Sequence, residues 1–492
     1  MDRRAFLKTA GNSTMVMALT GCMHSVHSQS GQIGQPPNIV LVFPDQMRGQ
    51  AMGFLGQEPV LTPNLDRFAG QSLVLPQTVS NYPVCSPFRA MLMTGKYPHA
   101  NYVISNCNTE SAPFNCQLQE SERCWSDILK DKGYSLGYIG KWHLDSPHKP
   151  YIKCSNNSET FAWNEWCPPG RRHGFDFWYA YGTYDRHTRP MYWKTDAGRE
   201  AFHYVNQWGP EHEADLAIQY IANENGRFRD SNKPFALVVS MNPPHMPYNL
   251  VPQRYVDQYQ DKTLEELCLR PNIPPAEKKF GKYYRDHIRH YYAMITGVDE
   301  QFGRILNTLK EKGLEDNTIV VFTSDHGNCL GIHDMIAKNN HYEESMRIPF
   351  LIRWPGKIQP RQDDLLFSSL DICPTLLDLA GCKQDILNDV DGISYAGQFM
   401  DTQGKRPEWQ WYMWVPPGKP QRGRRGLRNQ HYTFVISKAE GKPQEIYLYD
   451  NVADPYQMEN IADSDPQLVA KLTNTLKKVL TQYRDPWIQD IS

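Results

Sequence analysis

The segment YPVCSPFRAMLMTG, beginning at Tyr82, sets the thiol of Cys85 just ahead of Ser86-Pro87 and four residues before Arg89. Pro87 suits the first turn of a helix, whose free N–H groups and dipole favour an anion, and Arg89 adds a planar two-pronged donor beside it. A lone cysteine is ordinarily a small core hydrophobe. Four other groups of reactive side chains argue for chemistry instead, and each follows a short apolar run. Asp45-Gln46 follow NIVLVFP, Lys141 and His143 follow YSLGYIG, His245 follows PFALVVSMNPP, and Asp325-His326 follow TIVVFTS. Oxygen donors suit a hard cation such as calcium, which makes Asp45, Gln46 and Asp325 candidate ligands, with His326 as a nitrogen donor. Together these groups describe a pocket for a tetrahedral oxyanion next to a divalent cation.

The runs that carry them are continuous rather than alternating in apolar character and rich in β-branched residues. Such strands are covered on both faces, which predicts a doubly wound, mainly parallel sheet with helices on each side, the α/β class. In open sheets of this kind ligands bind outside the carboxyl ends of the strands, where all four reactive groups fall. The intervening helices are well punctuated: in LTPNLDRFA, Thr62 is placed to cap and Pro63 to open a helix. This domain is expected to occupy 38–400. After about residue 400 the texture changes, and DTQGKRPEWQWYMWVPPGKPQRGRRG reads as a linker or exposed loop. Two strand-like runs follow, HYTFVISK and EIYLYD. A helical pattern then runs through Leu468, Leu472, Leu476, Val479 and Tyr483, so 401–492 is expected to be a smaller C-terminal α+β subdomain, a small antiparallel sheet plus a helix.

With 52 basic against 54 acidic residues, net charge -2, no global field points to nucleic acid or anionic lipid, and any anion must be met locally. Twelve Trp, 27 Tyr and 16 His supply flat, hydrogen-bonding side chains that suit sugar rings. The first residues read as a targeting segment: Arg3-Arg4 before Phe6-Leu7-Lys8 is similar to a twin-arginine export signal, and LTGC is similar to a lipoprotein cleavage box ending at Cys22. Residues 1–22 are therefore expected to be a signal peptide, Cys22 the lipidation site, and 23–37 a polar tether. The expected location is the periplasm or a membrane surface reached only through the lipid anchor. Among the eleven cysteines, Cys107 with Cys116 and Cys154 with Cys167 lie in loop-like sequence and are candidate pairs in an oxidising compartment. Cys373 and Cys382 read as core thiols.

CSPFRAMLMTG resembles the signature of the type I sulfatases, Cys-x-Pro-x-Arg with a downstream Thr-Gly, whose cysteine is oxidised after synthesis to formylglycine. The likeness continues through PNIVLVFPDQMRG, TPNLDRFA, GYIGKWHLD, NPPHMPYNLVPQRY, VFTSDHGNCLGIHD, KNNHYEESMRIPFLIRWPGKI, SLDICPTLLDLAG and EIYLYDNVADPYQMENIA. It implies an alkaline-phosphatase-like fold, sulfate-ester hydrolysis, a calcium ion and a formylglycine-generating maturation enzyme as partner. By position, it implies that residue 85 as hydrated aldehyde attacks sulfur and that Asp45, Gln46, Asp325 and His326 hold calcium together with residue 85. Arg89 and Lys141 would stabilise the formylglycine and its oxyanion. His143 would accept a proton as sulfate is expelled, and His245 and Lys338 would bind sulfate and protonate the departing alcohol. Two positions depart from the family's commoner pattern: Gln46 replaces a second Asp, which lowers the negative charge around the cation, and Phe88 stands where Ser is commonest.

Substrate choice is expected in RRHGFDFWYAYGTYDRHTRPMYWK, where Arg186, His187 and Arg189 are candidate contacts for a second sulfate or a uronate, and His333 is expected to face the same pocket. An exported lipoprotein with a cationic aromatic loop points to sulfated polysaccharide fragments, such as algal galactans, fucans, ulvan or glycosaminoglycans. The alternatives are a phosphonate monoester or phosphodiester hydrolase on the same scaffold, and a catalytically silent protein that only holds sulfated glycan.

Overall fold

The computed structural model describes residues 35–401 and 404–490. The expected signal peptide, Cys22 and nearly all of the tether lie outside the described residues. Among those described, no helix is long and apolar enough to cross a membrane.

Ten strands make the main sheet: β1 (Asn38–Pro44), β2 (Leu73–Val74), β3 (Ser135–Lys141), β4 (Phe177–Tyr181), β5 (Met191–Lys194), β6 (His203–Tyr204), β7 (Phe235–Met241), β8 (Thr318–Thr323), β9 (Phe350–Arg353) and β10 (Arg361–Gln362). Their spatial order is β10-β2-β9-β8-β1-β7-β3-β4-β5-β6. The four apolar runs are thus adjacent in the order β8-β1-β7-β3, all parallel, with Val42 beside both Val239 and Phe322. Their carboxyl ends meet at one edge of the sheet.

Strand alternation sends Ile39, Leu41 and Phe43 into one buried layer and Val40 and Val42 into the other. The first layer is completed by helices Cys85–Thr94, Trp125–Asp131 and Ile372–Leu379, the second by helices Pro63–Ala69, Gly209–Ala222 and Lys279–Glu311. Each fully buried aliphatic side chain in these layers contributes roughly 2 kcal/mol of transfer free energy. In the long helix Lys279–Glu311, Tyr284, Ile288, Tyr291, Ile295, Val298, Phe302, Ile305 and Leu309 recur at alternating spacings that keep one apolar stripe against the sheet. Its Tyr291 hydroxyl donates to Gln46 O at 2.9 Å and accepts from Arg48 N at 3.1 Å, pinning the turn after β1.

The C-terminal sheet is antiparallel, β11 (Gln410–Trp414), β12 (Gly423–Arg428), β13 (Tyr432–Lys438) and β14 (Glu445–Asp450) in sequential order. Helix Pro466–Gln482 covers it with Leu472, Leu476 and Leu480, and Asp465 caps that helix by accepting from Leu468 N at 2.9 Å. Two expectations change here. The segment expected to be a linker contains β11 and the start of β12: Trp411, Tyr412 and Met413 are buried, because both faces of this strand are covered and the Pro/Gly-rich part is confined to the turn that follows. Thr62 stands at the start of its helix, but its hydroxyl accepts from Gly53 N and donates to Asp66 instead of capping.

Cys107, Cys116, Cys154 and Cys167 are all free thiols. Cys116 donates to Ser105 O at 3.2 Å, whereas Cys154 meets Asn164 and Cys167 faces the Pro168 and Arg171 carbonyls. Cys373 and Cys382 are buried in the core, as their apolar surroundings predict.

Candidate active site

Cys85 is the first residue of helix Cys85–Thr94, and no side chain caps that helix. Its buried thiol lies 3.3 Å from His326 Nε2, 3.8 Å from Asp45 Oδ1 and 3.9 Å from Lys141 Nζ. The neighbouring Ser86 is locked from both sides: its N–H donates to Asn106 Oδ1 at 3.1 Å and its hydroxyl to His143 O at 2.7 Å. On β3, Gly140 has φ +98°, and a Cβ there would collide with Ser240 O on β7, so only glycine lets the two strands approach this closely. Lys141 leaves the strand at that point.

Asp45 and Asp325 occupy the ends of neighbouring strands, and Arg89 and Lys141 cover only one edge of each carboxylate. Arg89 donates through one nitrogen to Asp45 Oδ2 at 3.1 Å and Asp325 Oδ2 at 3.0 Å, and Lys141 Nζ donates to Asp45 Oδ2 at 2.7 Å. The Oδ1 edges converge with Cys85 Sγ on His326 Nε2, 3.5 Å from each oxygen. His326 Nδ1 donates to Gly327 O at 3.0 Å, which leaves Nε2 for that convergence point. Gln46, with φ +69°, donates its N–H to Asp325 Oδ1 at 3.0 Å and accepts from Lys338 Nζ through Oε1 at 2.9 Å.

The electrostatics of this cluster follow from its geometry. Burial and the facing charge of Asp45 push Asp325 up to about 7. Burial opposes ionisation of Asp45 as well, but Lys141, His245, His326 and Lys338 hold it well below the usual carboxylate range. His326 is raised despite its burial, because Asp325 faces it. The ligand atoms of Asp45, Cys85, Asp325 and His326 all lie within 4.8 Å of one another. Two carboxylate edges and an imidazole nitrogen drawn to one point form a donor set that fits a divalent cation, since a positive ion there would relieve the repulsion that raises Asp325.

Cys85 opens onto a cavity of about 640 Å³ whose wall includes Lys141, His143, His245, Lys338, Asn106, Trp163, Asp185 and Arg186. His143 takes a left-handed backbone conformation, φ +52°, and donates from Nε2 to Cys107 O at 3.2 Å. Nδ1 therefore carries the lone pair, and it is buried without a partner. Burial pushes the ring down, which keeps it neutral. Arg89 does not line the cavity; it lies behind the carboxylates, tied to Lys141 O and Ser240 Oγ at 2.7 Å each.

The structure brings only some of the expected substrate residues to the cavity. Arg186 reaches the cavity wall, but His187, Arg189 and His333 do not. His187 is buried and donates to His245 O at 2.8 Å, Arg189 stacks over Tyr204 at 5.0 Å, and His333 stacks on Tyr342 at 3.7 Å with Nε2 3.2 Å from Glu344. Each side chain is drawn off by a nearer partner in its own packing layer. Asp185, Asn106, Asn242 and Trp163 have no assigned role in the sequence reading and join the site only in the structure. For Asp185 and Arg186 a signal exists: they follow FWYAY, which is β4, another parallel strand whose carboxyl end lies at the same edge.

A family model described as Sulfatase matches residues 37–382, and one described as N-sulphoglucosamine sulphohydrolase, C-terminal, matches 331–486. An endo-4-O-sulfatase of Bacteroides thetaiotaomicron is 38% identical over 96% of this chain and 97% of its own. An ulvan-active sulfatase of Formosa agariphila is 33% identical, covering 91% of this chain and 82% of its own. The crystal structure of yidJ from Bacteroides fragilis, a candidate sulfatase, superposes with a TM-score of 0.90 at 49% identity over 93% of this chain and 98% of that one.

Proposed function

The chain belongs to the sulfatase family and is a sulfuric ester hydrolase; from this premise we propose that it releases sulfate from sulfated polysaccharide fragments, with formylglycine made from Cys85 and a calcium ion. Family membership implies a formylglycine and a divalent metal, and the donor set around Cys85 fits such an ion. The observation that carries the reading is the buried Cys85 lining the cavity, between the convergent Asp45, Asp325 and His326 donors and the Lys141 and His143 side chains.

Asp45, Gln46, Asp325 and His326 would hold a divalent cation beside residue 85, and such an ion would supply positive charge for the sulfate oxygens. Residue 85, as hydrated formylglycine, would supply one hydroxyl to attack sulfur and a second whose deprotonation would expel sulfate. The remaining work falls to the chain's own side chains. Lys141 is held by Asp45 and by Asn242 Oδ1 at 3.1 Å, so its ammonium stays directed at residue 85 without reorganising. Lys338 brings a second ammonium from the facing loop. His143 Nδ1, neutral and unpartnered, accepts the proton from the second hydroxyl. His245 binds the sulfate with Lys338 and gives a proton to the departing alkoxide, a poor leaving group that needs an acid. Trp163 and Arg186 suit a sugar ring and an anionic substituent on it.

Two relatives, one named for endo action on a 4-O-sulfate and one for activity on ulvan, support a polymeric glycan substrate. Arg3-Arg4 and Cys22 support an exported lipoprotein, whose residue 85 would be converted by its maturation enzyme before export.

Sulfate release from a panel of sulfated oligosaccharides, using protein whose residue 85 is verified by peptide mass, tests the reading beside Cys85→Ala. Release from one glycan class with loss of at least about 10³-fold in the variant is expected. Silence across the panel with converted residue 85, or phosphodiester turnover exceeding sulfate release, would overturn the substrate assignment.

A further inference from the structure

Asp185 is a carboxylate on the cavity wall that takes no part in the cation cluster. Its Oδ2 accepts from Asn156 Nδ2 at 2.7 Å, and its own N–H donates back to Asn156 Oδ1 at 3.1 Å. Its Oδ1 accepts from Asn242 Nδ2 at 3.1 Å and lies 3.5 Å from His245 Nδ1. Asn242 accepts from Lys141 through its other amide atom. Two hydrogen bonds, Lys141–Asn242 and Asn242–Asp185, and the close Asp185–His245 contact therefore connect the side chain beside residue 85 to His245.

The histidine end of this connection is tightly specified. His245 Nδ1 also faces Met246 O at 2.7 Å. Both neighbours of Nδ1 are acceptors, so Nδ1 carries a hydrogen and Nε2 is the nitrogen presented to the cavity. The other charged and titratable groups around it do not compete for Asp185. His187, the nearest, is pushed down to about 4 by burial and is neutral, its Nε2–H donated to the His245 carbonyl. Lys141 is paired with Asp45. Although removal from water opposes its ionisation, Asp185 is held well below the usual carboxylate range by His245 and Lys141.

We propose that Asp185 is a positioning residue for the leaving-group side of the reaction: it anchors His245 through Nδ1 so that Nε2–H points at the ester oxygen, and ties that acid through Asn242 to Lys141. The inference rests on His245 as the acid in the functional reading above. As the S–O bond breaks, its electron pair goes to the ester oxygen, which takes the proton from His245 Nε2; the ring becomes neutral and recovers a proton from solvent. Asp185 keeps its charge throughout. An anion fixed beside the imidazolium favours the ring geometry in which this transfer takes place.

The proposal makes the effect of Asp185 depend on how much acid assistance the leaving group needs. Wild type, Asp185→Asn, His245→Gln and the double variant are compared on a sulfated oligosaccharide and on 4-nitrophenyl sulfate, whose phenolate leaves without protonation. Expected for Asp185→Asn is a kcat lower by about 10²-fold on the oligosaccharide, with KM and aryl-ester turnover within about threefold. The double variant should lose no more than His245→Gln alone. Asn156→Ala, which loosens Asp185 without touching His245, should reproduce the pattern more weakly and guards against a folding defect in Asp185→Asn. Equal losses on both esters, a raised KM with unchanged kcat, or additive losses in the double variant would overturn the proposal while leaving the functional reading standing. Wild-type turnover of the aryl ester alone would remove the glycan reading and, with it, the acid step that Asp185 serves; absence of turnover on both esters would remove both.

Discussion

Two clusters of buried charge flank the turn after β1, and only one of them is built for chemistry. In the first, Glu58 receives Arg48 on Oε2 at 2.8 Å and Arg270 on Oε1 at 3.5 Å, while Glu344 receives Arg270 and Asn272 on Oε1 and His333 on Oε2 at 3.2 Å. Every carboxylate edge is covered. Despite burial, Arg270 and His333 hold Glu344 well below the usual range. In the second, Arg89 and Lys141 cover only the Oδ2 edges of Asp45 and Asp325; the Oδ1 edges meet no cationic Arg or Lys partner among the described residues and, apart from the Gln46 N–H on Asp325, are turned toward His326 and Cys85. Both clusters place two carboxylates against two long cations, so buried charge by itself does not mark a site. What differs is whether the acid edges are spent on partners within the fold or left to converge on one point.

The sharpest way to break this comparison is to remove divalent ions. Chelation should reduce sulfate release to background and lower the thermal midpoint, and calcium should restore both; a ligand at about 100 times its dissociation constant contributes about 2.7 kcal/mol. Asp325→Asn should abolish the calcium response, whereas Glu58→Gln should keep it. A calcium response of equal size in both variants would place the ion elsewhere. Next in size, Glu58→Gln should cost about 3 kcal/mol in chemical denaturation, because it leaves two guanidinium groups facing a neutral amide in the interior. A loss below about 1 kcal/mol would show that this network does not carry the structural role assigned to it.

Glu213 provides a third arrangement, a buried carboxyl with hydroxyl partners and no cation bonded to it. Its Oε1 accepts from Tyr192 at 3.1 Å and Tyr181 at 3.4 Å, and burial pushes it up to about 8. In the unfolded chain the same carboxyl gives up its proton near 4.5. Its contribution to stability is therefore full below that value and is lost as pH rises toward 8, at no more than about 1.4 kcal/mol per pH unit. Glu213→Gln should flatten that part of the stability profile, and an unchanged slope would exclude the protonated carboxyl. The smallest contrast lies at the cavity rim: Arg186→Ala should raise KM for a glycan substrate several-fold, about 1 kcal/mol, and Arg189→Ala should leave it within about twofold. Equal effects would reject the distinction between the cavity-facing arginine and the one stacked on Tyr204.

Much of the main sheet is legible in the sequence because its strands are short apolar runs whose neighbours on both faces are also apolar. β1, β3, β7 and β8 each announce themselves this way, and their reactive termini follow. β4 escapes the pattern because FWYAY reads as an aromatic loop, which hides Asp185 and Arg186 at its end as members of the same edge. β11 is hidden for a related reason: its Trp and Tyr residues sit within Pro- and Gly-rich flanks that describe the turn rather than the strand. The cationic stretch around Arg171 misleads in the opposite direction. Arg171 pairs with Asp145, Arg172 with the Cys167 and Thr195 carbonyls, and His173 with Asp127, so most of its charge is spent inside the fold.

The amino-acid sequence by itself determined the chemical inventory, the strands that carry most of it and the edge at which it gathers, because residue type and apolar pattern are local properties. Tertiary structure alone decided which charged edges are covered and which remain open, that His143 presents Nδ1 and His245 Nε2, and that Arg186 rather than Arg189 reaches the cavity. Those outcomes depend on partners far apart in the chain, such as Arg89 with Asp325 and Asp185 with Asn242, and directional hydrogen bonds between them exist only once the strands are side by side.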